Sequence, residues 1–449
     1  MSFISTLFGN RGNAHAGKEV RVRMAPSPTG MLHIGTARTT LFNYLFAKHT
    51  GGTFILRIED TDKERSTRAF EQDIIEGLQW LGFSWDELYR QSERTDLYRK
   101  KLQMLIDSGK AYISKEESKQ HPGNFVEVVR LKNKGGVVTF TDLVRGDIAT
   151  DTTELGDLVI ARSIDDPLYH FAVVVDDGEM AITHIIRGED HISNTARQIL
   201  IQEALGYARP AYVHLPLILA PDRSKMSKRH GATSVNQYKA DGFIPEGLIN
   251  FLGLLGWNPG TPQELFTLEE LTKEFSIEKL QKAGAVFDMQ KLLWFNREHL
   301  KRLTDEEFIA RLANFGVHPD TRLIRLLRER GSTLKEIADA LQGGEFSFVT
   351  DKPVPEASLL IPKEGTAEAT KGHLLHIVEV LQGLQSPFTA ETVKDALWDY
   401  ATKEGRGLVL WPMRTALTGQ KQSPDPFSVA GILGKEETIA RLVSASESL

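Results

Sequence analysis

Apolar positions along this chain switch between a period of two and a period of about three and a half, and the switches mark out its elements. KEVRVRMA sets Val20, Val22 and Met24 on one side and charged residues on the other, a strand pattern. Downstream, TARTTLFNYLFAK carries Leu41, Tyr44, Leu45 and Lys48 at helical spacing. Between them lies MAPSPTGMLHIGTA, residues 24–37, with prolines at 26 and 28, glycines at 30 and 35, and His33 near its far end. Such a strand-to-helix turn presents backbone N–H groups at a helix start, where an anion can be held. GTFILRIEDTD predicts a second strand, with Phe54, Leu56 and Ile58 on one face and Ile55, Arg57 and Glu59 on the other. A helical stretch through Phe70, Ile74 and Leu78 follows. Strand, helix, strand, helix predicts a parallel α/β sheet.

The pattern then changes. Between residues 107 and 165, VVTFTDLVRGDIAT and DLVIARSI are short β-rich pieces that read as an insertion. The α/β pattern resumes with HFAVVVDDGEMAITHIIRGED and enters a helix, SNTARQILIQEALG. Beyond residue 240 the chain is helical. Thr267 with Glu270 and Thr304 with Glu307 have capping-box spacing. Val393, Ala396, Leu397 and Tyr400 form a stripe closed by Gly405. Residues 343–372 lack clean periodicity and read as an inter-domain connection.

Length and composition narrow the class. A chain of 449 residues, 41% hydrophobic and 25% charged, is an ordinary soluble protein of more than one domain. It has no cysteine, which excludes disulfides and thiolate metal sites and suits a reducing, cytoplasmic setting. Its longest apolar runs, such as LINFLGLLGW, are too short to span a membrane. Residues 1–18 lack the charged start and apolar core of a secretory signal and read as a disordered leader. The net charge of −6 taken alone argues weakly against a nucleic-acid partner, although net charge hides local patches.

Candidate chemistry sits in two loops. PDRSKMSKRHG, residues 221–231, follows the apolar run YVHLPLILA and sets Lys225 and Lys228 around Ser227. An isolated KxxK is most simply a solvated surface. The pairing of this loop with the PSPTGMLHIGT turn, each directly after a strand pattern, changes that reading.

The two loops resemble the HIGH and KMSKS elements of class I aminoacyl-tRNA synthetases. RMAPSPTGMLHIGTA, FILRIEDTD, IRGEDHISNT and KMSKRHG resemble the bacterial-type glutamyl branch of that class, as do VFDMQKLLWFN and LVLWPMRTALTG. The fourth position of HIGH is Thr36 here, and PSPTG stands where the glutaminyl branch resembles PPEPNG. The resemblance implies an α/β Rossmann-type parallel-sheet catalytic domain with a β-rich acceptor-binding insertion, then an all-α C-terminal anticodon-binding region. The corresponding boundaries are 19–106 and 166–235 for the two catalytic halves, 107–165 for the insertion, 236–300 for a helical stem-contact domain, and 301–449 for the anticodon-binding region.

It also implies a reaction: glutamate is activated with ATP to the adenylate, then transferred to the terminal adenosine of tRNA for glutamate, with tRNA for glutamine left open. His33, Lys225 and Lys228 match the catalytic positions. Gly30, Gly35, Thr36, Asp190 and Ser227 join them as ATP-binding positions, Asp190 serving equally well as a helix cap. Physically, a neutral imidazole, a helix start and two ammonium groups suit charge that builds on phosphates. Arg23 and Arg187 match the positions that meet the substrate side-chain carboxylate, for which a guanidinium fork is suited. Glu59 matches the ammonium site, and Ala25, Ser27 and Tyr169 complete the pocket. The structural alternative is that Arg23 and Glu59 simply pair across neighbouring strands. Mg²⁺ is expected on the ATP phosphates. No zinc is expected, since the insertion has no thiolates, and His121 reads as a loop histidine. Arg322, Arg325 and Arg328, at i, i+3 spacing in TRLIRLLRER, are the candidate tRNA contacts, a solvated face being the alternative. A monomer with no membrane partner is the expectation. Competing readings are a nucleotidyltransferase, a truncated paralogue that modifies a nucleoside within tRNA, and a non-catalytic tRNA-binding protein.

Overall fold

A computed structural model of the chain describes residues 19–117, 123–226, 234–385 and 387–449. The leader, His121, Ser227 and Lys228 therefore lie outside the described residues. The chain divides into two compact units, one ending at Asn296 and one spanning Arg297–Leu449.

The first unit is built on parallel strands. β1 (Arg21–Met24) runs into α1 (Ile34–Thr50), followed by β2 (Thr53–Ile58), α2 (Arg68–Trp80), β3 (Glu87–Arg90) and α3 (Thr95–Asp107). β1, β2 and β3 pair in parallel and in sequence order. The insertion follows as β4 (Ala111–Glu117), β5 (Phe125–Leu131), β6 (Val137–Asp142), β7 (Gly146–Asp151), β8 (Leu158–Ser163) and β9 (Asp166–Pro167). Then come α4 (Tyr169–Glu179), β10 (His184–Gly188), α5 (Ile192–Leu205) and β11 (Ala211–Leu215). β10 pairs with β11 in parallel, and β10 lies along the free side of β1, joined by Thr183 N–H to Arg21 O at 2.9 Å. The strand order therefore reverses at β1 and β10, the point in an open parallel sheet where ligands bind beyond the strand ends.

Both faces of this sheet are covered. Alternating strands normally turn charge to water, yet Arg23 and Arg57 are as buried as Val22 and Leu56. The insertion behaves as two pieces. β4, β5, β8 and β9 form an antiparallel sheet of their own, whereas the β6–β7 hairpin extends the catalytic sheet through Asp142 against Tyr212 of β11. Helices beyond residue 240 share the core of β1 and α1, with Phe275 stacked on Phe42 at 5.5 Å and Trp257 on Phe275 at 5.9 Å.

The second unit is helical from Asp305–Ala313 to Lys435–Glu447. Both predicted capping boxes form, at Thr267 and Thr304, and Val393 and Leu397 are fully buried in the helix Ala390–Glu404. Residues 343–372 are not a connection between domains; they lie inside this unit. Arg441 donates to the carbonyls of Phe348 and Leu417 at 2.8 Å, and Trp411 Nε1 donates to Leu359 O at 2.9 Å. Polar anchors of this kind hold irregular chain in place and leave no periodic trace.

Candidate active site

At the C-terminal ends of β1, β2 and β10 lies a pocket of about 390 Å³, within the range of small-molecule sites. Arg23, Ala25, Ser27, Glu59, Tyr169, Arg187, His33, Gly35, Thr36, Asp190 and Lys225 all line it. Gly30 does not, and the space around its missing side chain is open. The residues are spread from Arg23 to Lys225 in sequence. The sheet's switch point gathers them.

One end of the pocket is a web of buried charge. Arg23 donates from Nε and Nη2 to Asp177 at 3.0 and 3.4 Å, which leaves Nη1 outside that pair. Arg57, fully buried, donates to Asp177 at 2.7 Å and to Glu59 at 2.9 Å. Beneath them Asp176 accepts from Arg94, Tyr98 and Gln91 at 2.7, 2.8 and 2.9 Å. Arg23 and Glu59 thus do not pair with each other; α4 and β2 supply each with its own counter-charge. Burial pushes the Glu59 carboxyl up, against the pull of Arg57 and Arg23. Burial would also raise Asp177, but Arg23 and Arg57 outweigh it and hold its carboxyl below the ordinary range.

Arg187 is different. Its Nε donates to His214 Nε2 at 3.2 Å and its Nη2 to Thr195 at 2.9 Å, while Nη1 is buried without a hydrogen-bond partner. Among the described residues no carboxylate stands within ion-pair distance of it. Burial, then the neighbouring Arg23, pushes its guanidinium down from the ordinary arginine value. A buried, uncompensated cation of this kind is costly unless a ligand anion completes it. Arg38 also lines the pocket, but its terminal nitrogens are engaged by Leu255 O and Pro216 O. Tyr169 opens α4, its hydroxyl 3.5 Å from His191 Nδ1; burial, then Glu59, raises it to about 12. Burial, then Arg187, lowers His191 to about 4, so its ring is neutral at ordinary pH.

The other end is polar and open. His33 caps α1, its Nδ1 accepting from Gly35 N–H at 3.0 Å, which puts the proton of the neutral ring on Nε2. Lys225 donates to Asp190 at 2.9 Å, with side chains 62% and 45% exposed. Lys225 and its neighbours draw Asp190 below the ordinary carboxylate range against the opposing effect of burial. A Cβ at Gly188 would come within 2.5 Å of Asp190 Oδ1, so a side chain there would displace the Asp190 carboxylate.

In the second unit, Arg322, Arg325 and Arg328 each carry an acidic partner rather than forming one open basic face. Arg322 is held by Asp320 at 2.8 Å, and Arg325, 93% exposed, lies 3.4 Å from Glu329. Arg328 folds over Phe308 and pairs with Asp305 at 2.7 Å. Sequence reasoning missed Arg57, Asp176, Asp177, His214 and Asp142. The signal available was charge set inside apolar runs, in FILRIED and HFAVVVDD.

The chain is similar to known proteins along most of its length. The family of class I tRNA synthetases (E and Q), catalytic domain, matches residues 19–124 and 113–294, and the anticodon binding domain family matches residues 268–446. Among curated relatives, a glutamate–tRNA ligase from Thermodesulfovibrio yellowstonii is 41% identical over 465 residues, covering 94% of this chain and 98% of the relative. Glutamate–tRNA ligase 1 from Caldanaerobacter subterraneus is 40% identical over 475 residues, covering 95% and 97%. Among solved structures, a glutamate tRNA ligase from Elizabethkingia meningosepticum in complex with its amino acid aligns with a TM-score of 0.80 at 31% identity, covering 96% of this chain and 100% of that one.

Proposed function

The chain belongs to the class I tRNA synthetase family for glutamate and glutamine, on the glutamate–tRNA ligase side, and from that membership we propose how its pocket works. Glu59 meets the substrate ammonium, while Arg187 and the free edge of Arg23 meet the side-chain carboxylate, with Tyr169, Ser27 and Ala25 closing around it. The observation that carries this is the partnerless Nη1 of buried Arg187, in the same pocket as buried Glu59. A neutral glutamine amide leaves that cation uncompensated, so the site rejects it through the cost of an unpaired buried group.

At the open end His33, Gly35, Thr36, Asp190 and Lys225, with Ser227 and Lys228 of the same loop, take ATP. An α-carboxylate oxygen of glutamate attacks the α-phosphorus, the bond to the bridging oxygen breaks, and pyrophosphate leaves. A ribose hydroxyl of the terminal adenosine of tRNA then attacks the adenylate carbonyl, releasing AMP. The protein contributes position and charge neutralisation. Mg²⁺ arrives on the phosphates, which supply most of its oxygen ligands. In the second unit Arg325 is the most open of the three candidate arginines toward tRNA.

The test is glutamate charging of transcripts for tRNA(Glu) and tRNA(Gln), side by side. Charging of the first alone defines a discriminating enzyme; charging of both defines a non-discriminating one. Charging of neither by folded protein with Mg-ATP overturns the reading.

A further inference from the structure

Arg187 owes its usefulness to its hydrogen-bond partners, His214 and Thr195, being uncharged. A carboxylate in direct contact would fix the guanidinium equally well, but would neutralise the charge that a ligand is to use. His214 solves this as a neutral acceptor. To accept from Arg187 Nε–H, its Nε2 must carry a lone pair, so its proton sits on Nδ1. That proton is directed at Asp142, whose Oδ2 lies 2.7 Å from Nδ1. Both His214 and Asp142 are buried, at 0% and 1% exposure.

Asp142 is itself over-determined. Its Oδ2 also accepts from His214 N–H at 3.0 Å, and its Oδ1 accepts from Val144 and Arg145 N–H at 2.9 and 2.8 Å. Every donor around it demands an oxygen, so the carboxylate is fixed in place and the imidazole tautomer with it. The negative charge that balances Arg187 is thereby moved one ring away. The residue that supplies it sits on β6, in the insertion, not on a strand of the catalytic halves.

We propose that Asp142, acting through His214, is a positioning residue for glutamate selection: it locks the tautomer that orients Arg187 while leaving the Arg187 charge available to the substrate carboxylate. The inference rests on the assignment of Arg187 to that carboxylate. Asp142→Asn has nearly the same shape but one oxygen fewer. If its amide faces His214, Nδ1 must become the acceptor and Nε2–H then confronts Arg187 Nε–H; if it faces the turn, the Val144 and Arg145 amides lose their acceptor.

The experiment is glutamate-dependent pyrophosphate exchange by Asp142→Asn with the tRNA(Glu) transcript present, and ¹⁵N spectra of the His214 ring. Wild-type exchange comes first; if it fails, the glutamate assignment falls and Asp142 is not at issue. Given wild-type exchange, the variant should raise the KM for glutamate roughly tenfold or more, as for loss of a charge-assisted hydrogen bond, leave the KM for ATP within about twofold, and move the ring proton toward Nε2. An unchanged KM for glutamate with an unchanged tautomer overturns the proposal, as does an equal rise in both KM values. Should Asp142→Asn fail to fold, His214→Gln, which keeps an acceptor oxygen for Arg187, is compared with His214→Leu. Better glutamate binding by the Gln variant supports the proposal, and equal binding overturns it.

Discussion

The two ends of the pocket present charge in opposite ways. At the end proposed for the amino acid, Arg23, Arg57, Glu59, Asp177 and Arg187 are all nearly inaccessible, and each is oriented by partners already in place. At the end proposed for the nucleotide, Lys225 and Asp190 stand in solvent. Buried charges act in a low dielectric and can tell a carboxylate from an amide, whereas exposed ones are screened and serve mainly to attract and neutralise phosphate. On the proposed reading, selectivity and affinity for the reacting groups are therefore built with different materials.

The contrast can be broken most severely at Arg57. Arg57→Ala leaves Asp177, Asp176 and Glu59 short of their shared cation and should cost about 3–5 kcal/mol in urea unfolding. A loss under 1 kcal/mol would mean that the web is not a unit. Lys228→Ala tests the proposed phosphate chemistry: with tRNA(Glu) present, pyrophosphate exchange should fall by roughly 10²–10³-fold, the range for one preorganised donor. Exchange near the wild-type rate would remove Lys228 from the reaction. Arg187→Met should lower kcat/KM for glutamate by about tenfold to a hundredfold, matching the roughly 1.5–3 kcal/mol of a hydrogen bond to a charged group. Its preference for glutamate over glutamine should narrow, and an unchanged ratio would place recognition elsewhere. The smallest effect belongs to Asp190→Asn, where loss of the exposed Lys225 pair should change stability by less than about 1 kcal/mol. A larger change would show that the open end is as structural as the buried one.

Much of this site was legible in the chain. Strand patterns placed the SPTG turn, IED and RGED at strand ends, and the family resemblance picked out Arg23, Glu59 and Arg187, which line one pocket there. Their supports were less legible. Asp177 meets Arg23 across 154 residues, and Asp142 meets His214 across 72, distances over which no local period carries information. Arg57 alternates out of step with Leu56, which in a one-sided sheet would mean solvent; here helices cover both faces and it is buried. The β6–β7 hairpin misled in another way. Its short β-rich pattern marked it as part of an insertion, and only pairing with β11 joins it to the catalytic sheet. Residues 343–372 were read as a connection because they are irregular, yet they are packed by the buried guanidinium of Arg441 and by Trp411.

That hairpin bears on how the enzyme can be taken apart. Leu143 N–H donates to Tyr212 O at 2.9 Å, and Phe140 packs edge-on against Tyr212 at 5.2 Å. Removing residues 107–165 to obtain a minimal activating core would not trim an appendage. It would uncover the β11 edge as a template for strand addition and expose the apolar side chains now packed beneath the hairpin. The excisable portion of the insertion is at most the sheet of β4, β5, β8 and β9, and a graft of this insertion onto another scaffold would have to carry its own partner for β6.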